Sequence, residues 1–182
     1  MATAVLEELW HPSYSLVAVY AAATPALLRY YGRVPSQSPH WKPIMITYNL
    51  SMSIFSLACF ASMAFLLLTR LTTFTADCGA AYRDPLFRGV VWAFWMSKYV
   101  EFADTLFLIV KGKDVSWLHY LHHIGAAIDL GCLYQSEFEA AYIFISLNGF
   151  IHTIMHVWSD PIETCGSIRT LILSAFVTAL LT

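Results

Sequence analysis

Trp95-Met96-Ser97-Lys98-Tyr99-Val100-Glu101-Phe102-Ala103-Asp104-Thr105 is the stretch on which the fold of this chain turns. It lies within a long apolar segment, 89–110, yet carries a lysine and two carboxylates. Lys98, Glu101, Asp104 and Thr105 fall at i, i+3, i+6 and i+7, one face of a helix. On insertion scales each ionised group costs about 2.5–3.5 kcal/mol at the centre of a membrane. Such a face is tolerated only toward a bundle interior or a water-filled cavity. The plainer reading is interhelical glue, with Lys98 paired to Glu101 and Asp104 bonded to a neighbouring span.

Composition says why a membrane enters the argument at all. Hydrophobic residues make up 58% of the 182 and charged residues only 12%, about half the charge of a soluble domain. Mean hydropathy is +0.60. Ten basic residues against twelve acidic ones leave no basic footprint for nucleic acid. Cys59, Cys78, Cys132 and Cys165 are widely spaced and form no CxxC pair, which argues against a zinc cluster or a disulfide framework. Glu7 and Glu8 stand where a cleaved leader would need basic residues, so targeting is expected to fall to the first span.

A bilayer-crossing helix needs roughly 20 mostly apolar residues. Five segments qualify, 14–31, 43–69, 89–110, 115–134 and 140–158, and a sixth begins near Ile168 and is still apolar at Thr182. The expectation is an all-α, polytopic membrane helix bundle in one domain over 1–182, incomplete at its C-terminal end. The connections carry turn signals: Pro, Ser and Gly in 31–43, polar residues in 72–84, Lys111-Gly112-Lys113-Asp114, and Asp-Pro and Cys-Gly in 159–167. Placing the N-terminus in the lumen puts Arg29, Arg33, Lys42, Lys111, Lys113 and Arg169 on the cytosolic side and Arg70, Arg83 and Arg88 opposite. Six against three follows the positive-inside rule.

Histidines gather where the membrane disfavours them. The fourth span opens with His119-Tyr120-Leu121-His122-His123, and Asp129 lies seven residues after His122 on nearly the same face. The fifth carries Asn148, His152 and His156 at i, i+4 and i+8, with Met155 beside them. A lone histidine in an apolar span is usually a packing residue; five in two adjacent spans are harder to read that way. At 1.5 Å per residue, Asp104 and His122 lie about 10 Å from the cytosolic turn and His152 about 9 Å from its helix end. Three helices of alternating direction are thus expected to place polar groups in one layer.

In order and spacing, Lys98-x-x-Glu-x-x-Asp-Thr105, His119-x-x-His-His123 and Asn148-x-x-x-His-x-x-Met155 resemble the signature boxes of the ELO family of very-long-chain and polyunsaturated fatty acid elongases. The stretch from His123 to Asp129 is similar to the polyunsaturated branch of algae and protists. The third box departs from the pattern: His156 and Ser159 stand where aromatic residues are expected, while Trp158 keeps one. The resemblance implies seven spans, six enclosing an acyl tunnel, with this chain stopping inside the sixth.

It also implies a reaction. A fatty acyl-CoA condenses with malonyl-CoA to give 3-oxoacyl-CoA, carbon dioxide and CoA, at the endoplasmic reticulum membrane and without a bound cofactor or metal. By resemblance His122 is the nucleophile and His152 assists at the thioester or enolate oxygen, while His119 and His123 orient neighbours or move protons. Asp104 or Asp129 would fix a histidine tautomer, and Asn148 would face developing oxyanion charge. Lys98 would balance the carboxylates or meet the malonyl group. Glu101, Thr105, Met155 and His156 complete the substrate-binding set, and Lys111 and Lys113 are candidates for the CoA phosphates, with plain positive-inside topology as their alternative. Partners expected besides the two CoA esters are membrane lipid, a second copy of the chain or other enzymes of the elongation cycle. Two competing readings stand: a di-iron membrane desaturase or hydroxylase, whose histidine spacings are similar, and a truncated, non-catalytic relative that binds full-length elongases.

Overall fold

A computed structural model describes residues 13–31, 40–77 and 79–159. Its helices are α1 (Tyr14–Tyr31), α2 (Trp41–Ala76), α3 (Ala80–Arg83), α4 (Pro85–Val100), α5 (Phe102–Val110), α6 (Trp117–Gln135) and α7 (Ala141–Ser159). No strand occurs among the described residues. The chain is all-α. The sixth span expected from Ile168, the leader reading at Glu7 and Glu8, and Arg33, Cys78, Cys165 and Arg169 lie outside the described residues.

Four of the five expected spans appear as single helices, and two expectations need correcting. The segment 89–110 is two helices, α4 and α5, separated at Glu101. The backbone there stays near helical, at φ −62° and ψ −16°, but the Asp104 amide bonds back three residues to the Glu101 carbonyl rather than four. A tightened turn of this kind often marks a functional hinge or local strain. The stretch 72–84, read as a polar loop, is largely helical: α2 runs on to Ala76 and the one-turn α3 follows. At 36 residues, α2 is about 54 Å long, well beyond the ~30 Å hydrocarbon core.

Among the described helices, only Trp41–Arg70 within α2 is long and apolar enough to cross a membrane by length and composition alone. The helices that fall short include those carrying Lys98, Glu101 and Asp104 or the histidines. The two helices on either side of Glu101 fall short by length, at 16 and 9 residues.

Two compact units divide the chain, Met1–Gln37 with Val91–Ala141, and Ser38–Val90 with Tyr142–Thr182. The first holds α1, the end of α4, α5 and α6. Its centre is Trp95, 1% exposed, whose indole donates to the Ala127 carbonyl at 3.0 Å. Gly131 makes this approach possible, because a Cβ there would sit 3.0 Å from the Trp95 ring and against the Tyr14 hydroxyl. Ala127-x-x-x-Gly131 thus works as a pair of small residues that lets helices close up. Pro25 inside α1 lacks the N–H that would bond the Ala21 carbonyl. Tyr120 of α6 donates to that carbonyl at 2.8 Å. A backbone acceptor that would otherwise be left exposed in an apolar environment becomes a joint between two helices.

The second unit pairs α2 with α7. Gly149 of α7 lies so close to α2 that a Cβ would stand 3.2 Å from the Ser56 carbonyl. Ser53 donates to the Thr153 carbonyl at 3.0 Å, and Phe60 tilts against Phe150 at 5.9 Å. At the start of α4 the Asp84 carboxylate accepts from the Leu86 and Phe87 amides at 2.9 and 3.4 Å, with Pro85 as first helical residue, a favourable cap. Arg83 pairs with Asp77, and Arg70 reaches Asp84 at 3.8 Å.

Candidate functional site

Charge comes first, because it is the costliest thing to bury. In the first unit Lys98 Nζ lies 2.6 Å from Glu101 Oε1, both side chains 1% exposed. The i, i+3 spacing brings the groups together on one face. Phe94 lies one turn earlier and presents its ring to the ammonium at 4.2 Å, a cation–π contact. Ser97 donates to the Phe94 carbonyl at 2.8 Å and stands 3.4 Å from Glu101 Oε1. For these two residues the glue reading holds: Lys98 balances Glu101. Asp104, half-buried, sits on the first turn of α5.

Thr105 begins a different chemistry. It is 1% exposed, and its hydroxyl lies 2.7 Å from the Tyr20 hydroxyl and 3.0 Å from His119 Nε2. The first box and the histidine box are therefore in direct contact. His119 is held at the third position of α6, where its backbone N–H donates to the Ser116 capping oxygen at 3.1 Å. The His119 and His123 rings are 4.4 Å apart, and His122 and His123 are 5.9 Å apart. The three imidazoles do not share one environment. His123 is buried, His119 half-buried and His122 exposed. Asp129, two turns after His122, is exposed as well, as their i, i+7 spacing requires.

Beyond the break, α5 ends in a glycine-capped turn. Gly112 takes φ +66°, its amide bonds the Ile109 carbonyl at 3.0 Å, and the Lys113 amide bonds Leu108 at 2.9 Å. This double closure is the Schellman arrangement, which favours glycine at that position. It holds Lys111, half-buried, and Lys113, exposed, two residues apart on one tight turn.

The third box belongs to the second unit and is described there by itself. His152 and His156 are buried, at 4% and 2% exposure, with rings 5.5 Å apart. His156 Nδ1 lies 3.1 Å from Asn49 Oδ1, and Tyr48 meets the same ring edge-on at 6.0 Å. On α7, Asn148 is half-buried and Met155 exposed. The side chains of Trp158 and Ser159 lie outside the described residues. Among the described residues no three His, Cys, Asp or Glu side chains converge as a metal-ligand group.

Two partners escaped the sequence reading. Tyr20 bonds Thr105 from α1, and Asn49 bonds His156 from α2. Asn49 had a signal: with Ser53 and Ser56 it makes a polar stripe at i, i+4 and i+7 in an apolar helix. Tyr20 had none, since α1 also carries Tyr14, Tyr30 and Tyr31.

An all-α chain whose apolar helices bury a lysine–glutamate pair, and histidines bonded to a threonine and an asparagine, has the character of a membrane protein. Its sequence matches the family model described as ELO, the GNS1/SUR4 family, over residues 5–178, and the chain belongs to that polytopic, membrane-embedded family. Among similar proteins is human "very long chain fatty acid elongase 6", 26% identical over 83% of this chain and 58% of that protein. "Fatty acid elongase 1" of Trypanosoma brucei brucei is 29% identical over 66% of this chain and 42% of its own length. "Very long chain fatty acid elongase 4" of Trypanosoma cruzi is 30% identical over 62% and 42%. The chain thus spans about half the length of the curated relatives it matches. No solved structure matches it. Fatty acid elongation is the activity of the family, and lipid biosynthesis in a membrane its setting.

Proposed function

We propose that this protein condenses a long-chain, polyunsaturated acyl-CoA with malonyl-CoA at a histidine-rich intramembrane site. The observation that carries the reading is the bond between Thr105 and His119, which joins the lysine–carboxylate box to the histidine box inside an ELO-family chain. Neutral His122 attacks the acyl thioester, a C–N bond forms as the C–S bond breaks, and CoA leaves as a thiolate that takes up a proton from water, leaving the acyl group on a cationic imidazole that returns to neutral when its C–N bond breaks. Malonyl-CoA loses carbon dioxide, and the electron pair of that C–C bond becomes an enolate. The enolate carbon attacks the acyl-imidazole, the C–N bond breaks, and 3-oxoacyl-CoA is released with His122 restored. The accessibility of His122 suits a nucleophile that must meet substrate. His123, packed beside it, orients the ring.

Other members of the set take roles consistent with their surroundings. For His152 and Asn148 the resemblance of the boxes alone suggests help at the thioester and enolate oxygens. Asp104 or Asp129 fixes a histidine tautomer. Lys111 and Lys113 meet the CoA phosphates as flexible point charges, which requires the turn after α5 to face the cytosol. The excess of basic residues on that side supports the orientation, with the N-terminus lumenal in the endoplasmic reticulum membrane. CoA stays in water on this side while the acyl tail lies among the helices, and the partners are a second copy of the chain or other enzymes of the elongation cycle. Family membership favours elongation over the di-iron alternative.

The test is expression in membranes lacking endogenous elongases, supplied with a panel of acyl-CoAs and labelled malonyl-CoA. Two-carbon extension of polyunsaturated substrates is expected, with His122→Ala reducing it at least a thousandfold, the scale on which loss of a nucleophile is felt. Turnover retained by His122→Ala would remove that residue from the role.

A further inference from the structure

We infer that Tyr20, on the first helix and outside all three boxes, is a positioning residue that sets the tautomer of His119 through Thr105; the catalytic part of this rests on the condensation reading above. A threonine hydroxyl has one proton and two acceptor lone pairs, so it can donate to only one of its partners. The phenol, with an ordinary pKa near 10, is a far better donor than an aliphatic alcohol. With Tyr20 Oη–H donating to Thr105 Oγ1 at 2.7 Å, the threonine proton is left for His119 Nε2 at 3.0 Å. That polarity occupies the Nε2 lone pair and leaves the proton of neutral His119 on Nδ1.

The tyrosine is built to stay in place. Its side chain is 7% exposed and its ring stacks on Phe102 at 4.1 Å and 11°. Tyr120 lies against it at 5.8 Å, and His123 meets it edge-on at 6.2 Å. Tyr120 also ties α6 to α1 through the Ala21 carbonyl, one residue from Tyr20. A single α1 side chain thus touches Thr105 of the first box and His123 of the second, and every contact but the hydroxyl survives replacement by phenylalanine. The first helix contributes to the site without carrying a box residue.

Tyr20→Phe is expected to lower kcat about tenfold, the equivalent of one hydrogen bond of about 1.4 kcal/mol, with KM for both CoA esters unchanged. In protein carrying 15N-histidine, the His119 imidazole, assigned by its loss in His119→Asn, is expected to change from one Nδ1–H tautomer to a mixture. Thr105→Val should break the same relay, Tyr20→Phe should add nothing to it, and Thr105→Ser should restore both readouts. Should Tyr20→Phe not fold, Thr105→Val is read in the same way. An unchanged His119 spectrum in the folded variant overturns the inference, as does a KM effect with kcat intact. If the wild-type protein extends no acyl-CoA, the condensation reading falls, and the imidazole spectrum alone still decides whether Tyr20 sets the tautomer.

Discussion

The two units of this protein bury polar groups by different rules. In the first, α1, α4, α5 and α6 hold a charged pair, Lys98 with Glu101, and a side-chain relay, Tyr20–Thr105–His119. In the second, α2 and α7 hold neutral groups: Ser53 and Thr153 bond to helix carbonyls, and one amide, Asn49, meets one imidazole, His156. A charge in a low-dielectric interior has to find an opposite charge or lose its ionisation. A hydroxyl can settle on a backbone carbonyl within its own turn or across a close helix contact. The first unit is therefore specified residue by residue, and the second mostly by small size and close approach.

The contrast breaks hardest at Lys98. Lys98→Met removes the ammonium 2.6 Å from the buried Glu101 carboxylate, and a loss of about 3–5 kcal/mol is expected, read as a lower thermal midpoint of the detergent-purified protein. Adding Glu101→Gln should recover most of it; a midpoint unmoved by Lys98→Met would show that the pair is not buried. Asn49→Leu in the second unit strips an imidazole of a neutral partner, and about 1–3 kcal/mol is the expected cost. If this change proved as damaging as Lys98→Met, the distinction between charged and neutral burial would collapse. Smallest is Ser53→Ala, where one interhelical hydroxyl bond in an apolar setting is worth about 0.6 kcal/mol. A loss of several kcal/mol there would mean that Ser53 holds the α2–α7 contact rather than decorating it.

Much of this could be read from residue order. The i, i+3 step from Lys98 to Glu101 foretells their pairing, because helical geometry alone brings those side chains together. Sequence groups His122 with His119 and His123, and only the structure shows His122 and Asp129 exposed beside a buried His123. The limits of α1 follow from apolar length, and Lys111-Gly112-Lys113 announces its turn because the left-handed position favours glycine. The break at Glu101 was not legible: its dihedrals remain near-helical and no Pro or Gly marks it. The helical run to Ala76 was hidden by polar residues outside the apolar core, where hydropathy says nothing about helix.

Linear order determined the class of this protein, an all-α chain with polar faces inside apolar helices, since period and hydropathy are local properties. It determined the family as well, through three boxes in sequence. Only tertiary structure decided which polar groups meet: Tyr20 and Thr105 are separated by 85 positions, and Asn49 and His156 by 107. A hydrogen bond needs its atoms within about 3 Å. Nothing short of the folded backbone brings side chains so distant in the chain to that range.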